Sequence, residues 1–307
     1  MRRTGGVAVN DGATKPGDLR QRDVQRRFDR AAAKFDDGDF VHRHAAKGLY
    51  ERMSPMLVDV CTILDAGSAT GAASLELAGI YRGSRIVRLD RSLNMLKHGR
   101  KRGFKFTWPR RGARVHEVQA DATALPLQAG SVDLVFANML MPWLDDLPAF
   151  FAEVNRVLRK DGLFAFSSLG PDSLLELRQA WARVDDGEHV GSFLDMHDVG
   201  DALLRSGLRE PVLDTDYLTL RYRNTEGLLD DLTRAGARNC LTGRKTSLTG
   251  RGSFAAMKRT LDSSGTDGEL PIRLELVFGH AWGGGPRQTP GEFSVDVGAI
   301  GRRRRSR

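Results

Sequence analysis

The spacing of apolar and polar positions changes several times along the chain, and each change marks an element. From Val24 to about Met53, apolar residues at Val24, Phe28, Ala31, Ala32 and Phe35 keep a helical spacing with a break near Asp36–Asp39, which predicts two helices joined by a kink or turn. Short apolar runs follow: TILDAG (62–67), SRIVRLD (84–90), ARVHEVQAD (113–121), VDLVFAN (132–138) and LFAFSSL (163–169). Between them lie helical patterns, the clearest being LPAFFAEVNRVLRKDG (147–162), whose Lys/Asp-Gly end reads as a helix C-terminus. Five strands separated by helices predict a doubly wound, mostly parallel α/β sheet. Beyond Gly170 the pattern predicts helices at about 172–184 and 196–207. PVLDTDYLTLRY (211–222) then alternates like an edge strand, TEGLLDDLTRAGARN and 253–262 are helical, and PIRLELVFGHAW (271–282) is a final strand.

The expected organisation is a single domain over 21–285. It comprises N-terminal helices (21–54), a core sheet (55–222), a helical lid (223–265) and a last strand (266–285). Disordered segments are expected at 1–20, polar and Gly-rich, and at 286–307, basic. Net charge is +8, but RRRRSR at the end holds five arginines and leaves the body near +3. That tail reads as a solvated end rather than a nucleic-acid arm. No run approaches the ~18 apolar residues of a membrane span. The two cysteines, Cys61 and Cys240, have no metal-ligand or disulfide spacing, so a reducing cytoplasm is expected and no metal.

The chemistry begins at LDAGSATG, Leu64 to Gly71. A dinucleotide fingerprint wants G-x-G-x-x-G, and here the second and third glycine positions are Ala69 and Ala72, which disfavours a pyrophosphate. Gly67 and Gly71, with Ser68 and Ala69 between them, still allow close backbone approach. Asp65 stands two residues before the first glycine, where it would meet the ammonium of S-adenosylmethionine. Asp90 ends the second strand, where a carboxylate accepts ribose hydroxyls in this cofactor and in nicotinamide dinucleotides alike. Asp121 and the Ala122 amide, at the third strand end, fall where the adenine amino group and a ring nitrogen would sit. Singly, Asp65 or Asp90 reads equally as a helix cap; three strand-end sites together point to S-adenosylmethionine. Asn138, ending the fourth strand, orients the methionine end or substrate, or is a satisfied turn residue.

Taken together, ILDAGSATG, RLDRSLNML and the stretch from VQADATALPL through ANMLMPW to SSLGPDSLLELRQAW resemble the class I S-adenosylmethionine-dependent methyltransferases. Within them, ANMLMPW, SSLGPDSLLELRQAW, GARNCLTGR and LVFGHAW resemble the malonyl-acyl-carrier-protein O-methyltransferases of biotin synthesis, over roughly 24–282. ARNCLTGRK is also similar to a mitochondrial complex I assembly factor that hydroxylates an arginine, whereas LVFGHAW favours the bacterial enzymes. The chain departs from the family at Phe35 and His42, where tyrosine and glutamine are common.

The resemblance implies a Rossmann-like methyltransferase sheet with N-terminal helices and a C-terminal helical lid. It implies methyl transfer from S-adenosyl-L-methionine to the free carboxylate of malonyl-acyl carrier protein or malonyl-CoA. Such a carboxylate, with a pKa of ~4, is ionised at neutral pH and needs no general base. What it needs is positioning and a cation, for which the planar fork of arginine suits. Arg244, in the GARNCLTGR segment, is the leading candidate for this clamp, followed by Arg43, Arg178 and Arg238. Trp143 is expected to line the pocket or pack, and His280 to be structural. The helices over 24–53 and 225–262 are expected to cover the cofactor and admit a phosphopantetheine arm, with a basic mouth steering an acidic carrier protein. The alternatives are methylation of another small acceptor, an assembly or arginine-hydroxylation factor acting on a protein, and RNA methylation. The last lacks an N/D-P-P-[YF] sequence, since the chain reads ANMLMPW there.

Overall fold

The computed structural model describes residues 18–284 except 57, 103–113, 246 and 248. The expected disordered tail and residues 1–17 of the expected disordered start lie outside the described residues. Residues 18–20 do not fit that expectation, because Leu19 bridges Leu241 and the Arg20 amide donates to the Cys240 carbonyl at 2.8 Å.

Three helical segments precede the sheet: α1 (Gln21–Ala31), the single turn α2 (Phe35–Gly38) and α3 (Phe40–Met53). One break was expected and two are present, at 32–34 and at Asp39. The extra turn is set by tertiary packing, since a Cβ on Gly38 would come within 2.6 Å of Arg234 Cβ. The sheet then alternates with helices: β1 (Thr62–Ala66), α4 (Ala72–Ile80), β2 (Arg85–Asp90), α5 (Leu93–Arg102), β3 (Arg114–Gln119), β4 (Val132–Asn138), α6 (Leu147–Val157) and β5 (Leu158–Leu169). The remainder is α7 (Leu175–Ala182), α8 (Met196–Arg205), β6 (Arg209–Tyr222), α9 (Thr225–Arg234), α10 (Arg251–Asp262) and β7 (Leu270–Trp282). Side-chain caps start α6, α8 and α9: Asp146 accepts from the Ala149 amide, Asp195 from His197 and Asn224 from Gly227.

The strand order is β3-β2-β1-β4-β5-β7-β6, with the first five parallel and β7 antiparallel to both β5 and β6. The order reverses between β1 and β4, and β6 is an edge strand as its alternation predicts. One expectation fails: the helix over 147–162 ends at Val157, and Leu158–Gly162 already belong to β5. Leu158 pairs with Val132, and Asp161 takes a φ of +61 where the ladder shifts register between Val132 and Leu134. The Asp-Gly pair thus forms an irregular strand start instead of a helix cap.

Both faces of the sheet are apolar because strand side chains alternate. Leu64, Val87, Val135 and Phe164 pack with Phe150, Phe151 and Val154 of α6 and Leu203 of α8. The opposite set, Ile63, Ile86, Leu134 and Leu163, packs with Ala45 and Leu49 of α3 and Leu77 of α4. A third cluster joins Leu177 and Trp181 of α7, Leu228 of α9, Met257 and Leu261 of α10 and Ile272 of β7, which makes the lid a packed unit on the antiparallel end of the sheet. Among the described residues no helix is long and apolar enough to cross a membrane.

Candidate active site

The loop after β1 turns on Gly67 (φ +70) and Gly71 (φ +87), backbone conformations that favour glycine. The amides of Gly67 and Ser68 both donate to the Leu89 carbonyl, at 2.8 and 3.0 Å, which ties the loop to the end of β2. The Ala69 amide donates to Asp90 Oδ2 at 2.8 Å and the Ser92 amide to Oδ1 at 2.7 Å. A carboxylate has about four acceptor positions, so Asp90 keeps capacity for two hydroxyls. Burial pushes its pKa up to about 6. Asp65 is 1% exposed and accepts from Ser74 Oγ, and burial pushes its pKa up to about 6 as well, against the bond from Ser74.

The loop and strand ends form one cleft with two halves. Asp90, Arg91, Ser92, Asp121, Ala122 and Leu140 line one half, under Gln21, Val24 and Phe28 of α1. Asp65, Ser68, Thr70, Ala73, Glu76 and Arg43 line the other. Phe35, His42, Gly67, Ala69 and Asn138 belong to both halves. The acids and close backbone turns that line this cleft suit S-adenosyl-L-methionine, which has an ammonium, ribose hydroxyls and an adenine to hold. Asp90, Asp121 and Ala122 line the half under α1 and Asp65 lines the other, where the buried Ser68 Oγ has no hydrogen-bond partner among the described residues.

Of the residues expected to bind cofactor, Asp65, Gly67, Ser68, Ala69, Asp90, Asp121, Ala122 and Asn138 come together in the cleft. Gly71 does not line it. A Cβ there would meet the Arg88 guanidinium at 2.6 Å, so this glycine serves the buried arginine and the left-handed backbone. Arg88 itself is fully buried, donating to Glu117 at 2.9 Å and to the Ala69 carbonyl at 3.1 Å. The Asn138 amide is committed at both ends, with Nδ2 donating to the His42 carbonyl at 2.9 Å and Oδ1 accepting from Ser167 at 2.8 Å. It therefore pins α3 to the end of β4. Asp121 is held by Arg91 and by the Thr123 amide and hydroxyl. The helices over 24–53 were expected to cover the cofactor, and Val24 and Phe28 of α1 do line the cleft; sequence reasoning did not single out Gln21, which lies before that range, or Arg91, the residue after Asp90.

A larger, mostly apolar chamber lies beside the cleft under the lid. Leu174, Leu177, Trp181, Tyr222, Phe254 and Cys240 are among its walls, and Arg27, Arg238, Arg244 and Lys245 are its cations. Among the described residues, His42, Met139 and Trp143 line both this chamber and the half of the cleft under α1, and His42 alone lines all three spaces. Arg244 Nη2 donates to Asp23 at 2.6 Å, while its buried Nε has no partner. Arg238 gives Nη1 to Thr233 at 2.9 Å, and no carboxylate among the described residues pairs with it or with Arg27. Burial, then the charge of Arg27, pushes the Arg238 pKa down. The other two candidates lie elsewhere. Arg43 pairs with Asp39 at 3.1 Å in the Asp65 half of the cleft. Arg178 donates to the carbonyls of Pro171 and Gly191 and lines neither the cleft nor the chamber. His280 sits in β7 opposite Ala165, away from the cleft.

The sheet order with its antiparallel β7, the loop after β1 and the acids at successive strand ends define a class I S-adenosyl-L-methionine-dependent methyltransferase. A methyltransferase-domain family matches residues 64–166. The fold is similar to the YcgJ protein of Bacillus subtilis (TM-score 0.55, 14% identity, 78% of this chain and 98% of that one). It is also similar to Haemonchus contortus phosphoethanolamine N-methyltransferase 2 in complex with S-adenosyl-L-methionine (TM-score 0.51, 16% identity, 84% and 57%). Sequence relatives are nearer. The chain is 40% identical over 264 residues to the malonyl-[acyl-carrier protein] O-methyltransferase of Gallionella capsiferriformans, covering 86% of this chain and 91% of that one. It is 38% identical over 299 residues to that of Halorhodospira halophila, covering 94% and 99%. The chain belongs to the malonyl-[acyl-carrier protein] O-methyltransferase family.

Proposed function

We propose that the chain methylates the free carboxylate of a malonyl group carried as a thioester on acyl carrier protein, as its relatives are named for doing, and so serves biotin synthesis. The observation that supports this best is the chamber beside the cofactor cleft. It is apolar enough for a thioester and its arm, and two of its arginines, Arg27 and Arg238, form no ion pair among the described residues. S-adenosyl-L-methionine supplies an electrophilic methyl on a sulfonium.

The residues of the chain supply the rest. A carboxylate of ordinary pKa, ~4, is already the nucleophile at neutral pH, so the site has to bind, orient and dry it without protonating it. Arg27 and Arg238, with Arg244 through its unpartnered Nε, draw the anionic acceptor into the chamber. None of these three lines the cofactor cleft, so they are set back from the transfer point, where a close ion pair would damp the nucleophile. Asp65, Ser68 and Asp90 fix the cofactor, and Asn138 holds the α3–β4 contact between the two spaces.

The test is direct. Purified protein is incubated with methyl-labelled S-adenosyl-L-methionine and malonyl-acyl carrier protein, malonyl-CoA or acetyl-CoA. Labelled methyl ester is expected from the malonyl thioesters and none from acetyl-CoA. Cofactor binding without esterification of either malonyl thioester would refute the assignment.

A further inference from the structure

Among the described residues, His42 is the one that borders both halves of the cofactor cleft and the chamber. Its position is fixed from both sides: its carbonyl accepts from Asn138 at 2.9 Å, and its ring lies edge-on to Phe35 with centroids 5.0 Å apart. The ring nitrogens lack protein partners. Nδ1 is sealed from solvent without a hydrogen bond, and no group among the described residues bonds Nε2. Burial pushes the imidazole pKa down to about 4, so the ring is neutral where the enzyme works.

A neutral imidazole carries one proton, on one of two nitrogens. Nothing near Nδ1 can receive a proton from it, and a buried unpaired N–H is rarer than a buried unpaired acceptor. The N–H therefore belongs on Nε2, which, unlike Nδ1, is not sealed from solvent, on a residue that lines both cleft and chamber. The other two residues shared between that cleft half and the chamber are Met139, which has no strong donor, and Trp143, whose indole N–H is a donor only.

We propose that His42 Nε2–H donates a hydrogen bond to the acceptor carboxylate at the transfer point, gripping the oxygen that is not attacked, with the Trp143 indole as its companion on the chamber side. This rests on the malonyl-thioester reading of the chamber and names the group that aims its carboxylate. A neutral donor orients an anion without the charge neutralisation that an arginine would bring. It also gives a reason for the setback of Arg27 and Arg238: cations collect the anion, and an uncharged donor presents it. No proton is transferred, and the carboxylate oxygen forms the new bond to carbon as the sulfonium sulfur keeps the electron pair of the broken one.

The experiment uses the full chain with His42→Leu, His42→Phe and His42→Gln, and reads three quantities for each. These are kcat/KM with malonyl-acyl carrier protein, cofactor Kd, and the ratio of affinities for malonyl-CoA and acetyl-CoA, which differ by the carboxylate. A hydrogen bond to a charged group corresponds to a roughly 10–100-fold effect. Leu and Phe should lower kcat/KM and the malonyl preference by that factor while cofactor Kd stays within about twofold, and Gln, which restores an N–H at similar reach, should recover most of both. Phe keeps the ring volume and serves if the smaller side chain perturbs folding. Activity and malonyl preference retained in both apolar variants would overturn the proposal. Loss of cofactor affinity as large as the loss of activity would also overturn it. If the wild-type protein esterifies no malonyl thioester, the functional reading falls and this assignment with it; if it does, only the role of His42 is at stake.

Discussion

Replacing Asp65 by Asn should make the cofactor-free protein more stable and the cofactor complex weaker. Asp65 is buried beside Ser74, and its pKa stands at about 6 against an ordinary 3.8, a gap of about 2 units or about 3 kcal/mol in favour of its protonated form. For a carboxyl raised on folding, stability is fully present below the unfolded pKa and is lost as pH rises through the folded one. At pH 7.5 the wild-type protein therefore bears close to the whole penalty, at pH 5 about half of it, and near pH 4 little. Asn keeps the shape and an oxygen to accept from Ser74 but cannot ionise. For a chain of this size the thermal midpoint at pH 7.5 should rise by up to roughly 5–10 °C, with the difference narrowing toward pH 4. The same change removes the charge that faces the cofactor ammonium and should weaken binding roughly 10–100-fold. Thermal melts at pH 4, 5 and 7.5, with and without S-adenosyl-L-methionine, and a calorimetric titration read both effects. An Asn variant that melts lower than wild type at pH 7.5, or binds the cofactor equally well, would refute the reasoning.

Gly71→Ala should cost more than about 1–2 kcal/mol, because the left-handed backbone is strained for alanine and the added Cβ meets Arg88. Gly83→Ala, at a φ of +85 with nothing within 4 Å, should cost only the backbone part, and urea midpoints compare the two. Arg238→Gln should raise KM for malonyl-acyl carrier protein by roughly 10-fold without changing cofactor Kd, and the wild-type KM should rise with salt. Reversing either Asp23 or Arg244 alone should destabilise by about 1 kcal/mol, and Asp23→Arg combined with Arg244→Asp should recover most of the loss in a melt.

The five parallel strands were legible as short runs bounded by polar or turn residues and β6 by its alternation, and the sheet class followed from the helices between them. The end of α6 was not. A Lys-Asp-Gly sequence serves a helix stop and an irregular strand start equally well, and the pairing of Leu158 with Val132 decides between them. Strand-end acids located the cofactor cleft, since their position depends on local order alone. Arg88 was not singled out in SRIVRLD; it is buried beneath the loop with Glu117 as partner, a placement its charge alone does not suggest. The pairing of Arg244 with Asp23 spans more than two hundred residues of chain, and the bonds of Gln21 to Arg91 and to the Trp143 carbonyl span 70 and 122, separations that no local pattern encodes.

Helix α1 roofs one half of the cleft through Gln21, Val24 and Phe28. Its leading end is also stitched to the chamber wall: Arg20 to Cys240, Thr242 to Asp18, and Arg244 to Asp23. Cleft and chamber are therefore tied to one another through the start of α1. With the Arg20 guanidinium also donating to the Thr242 carbonyl at 3.2 Å, lifting α1 carries residues 240–244 with it or breaks four hydrogen bonds, so the roof of the cleft and the wall of the chamber move as one piece.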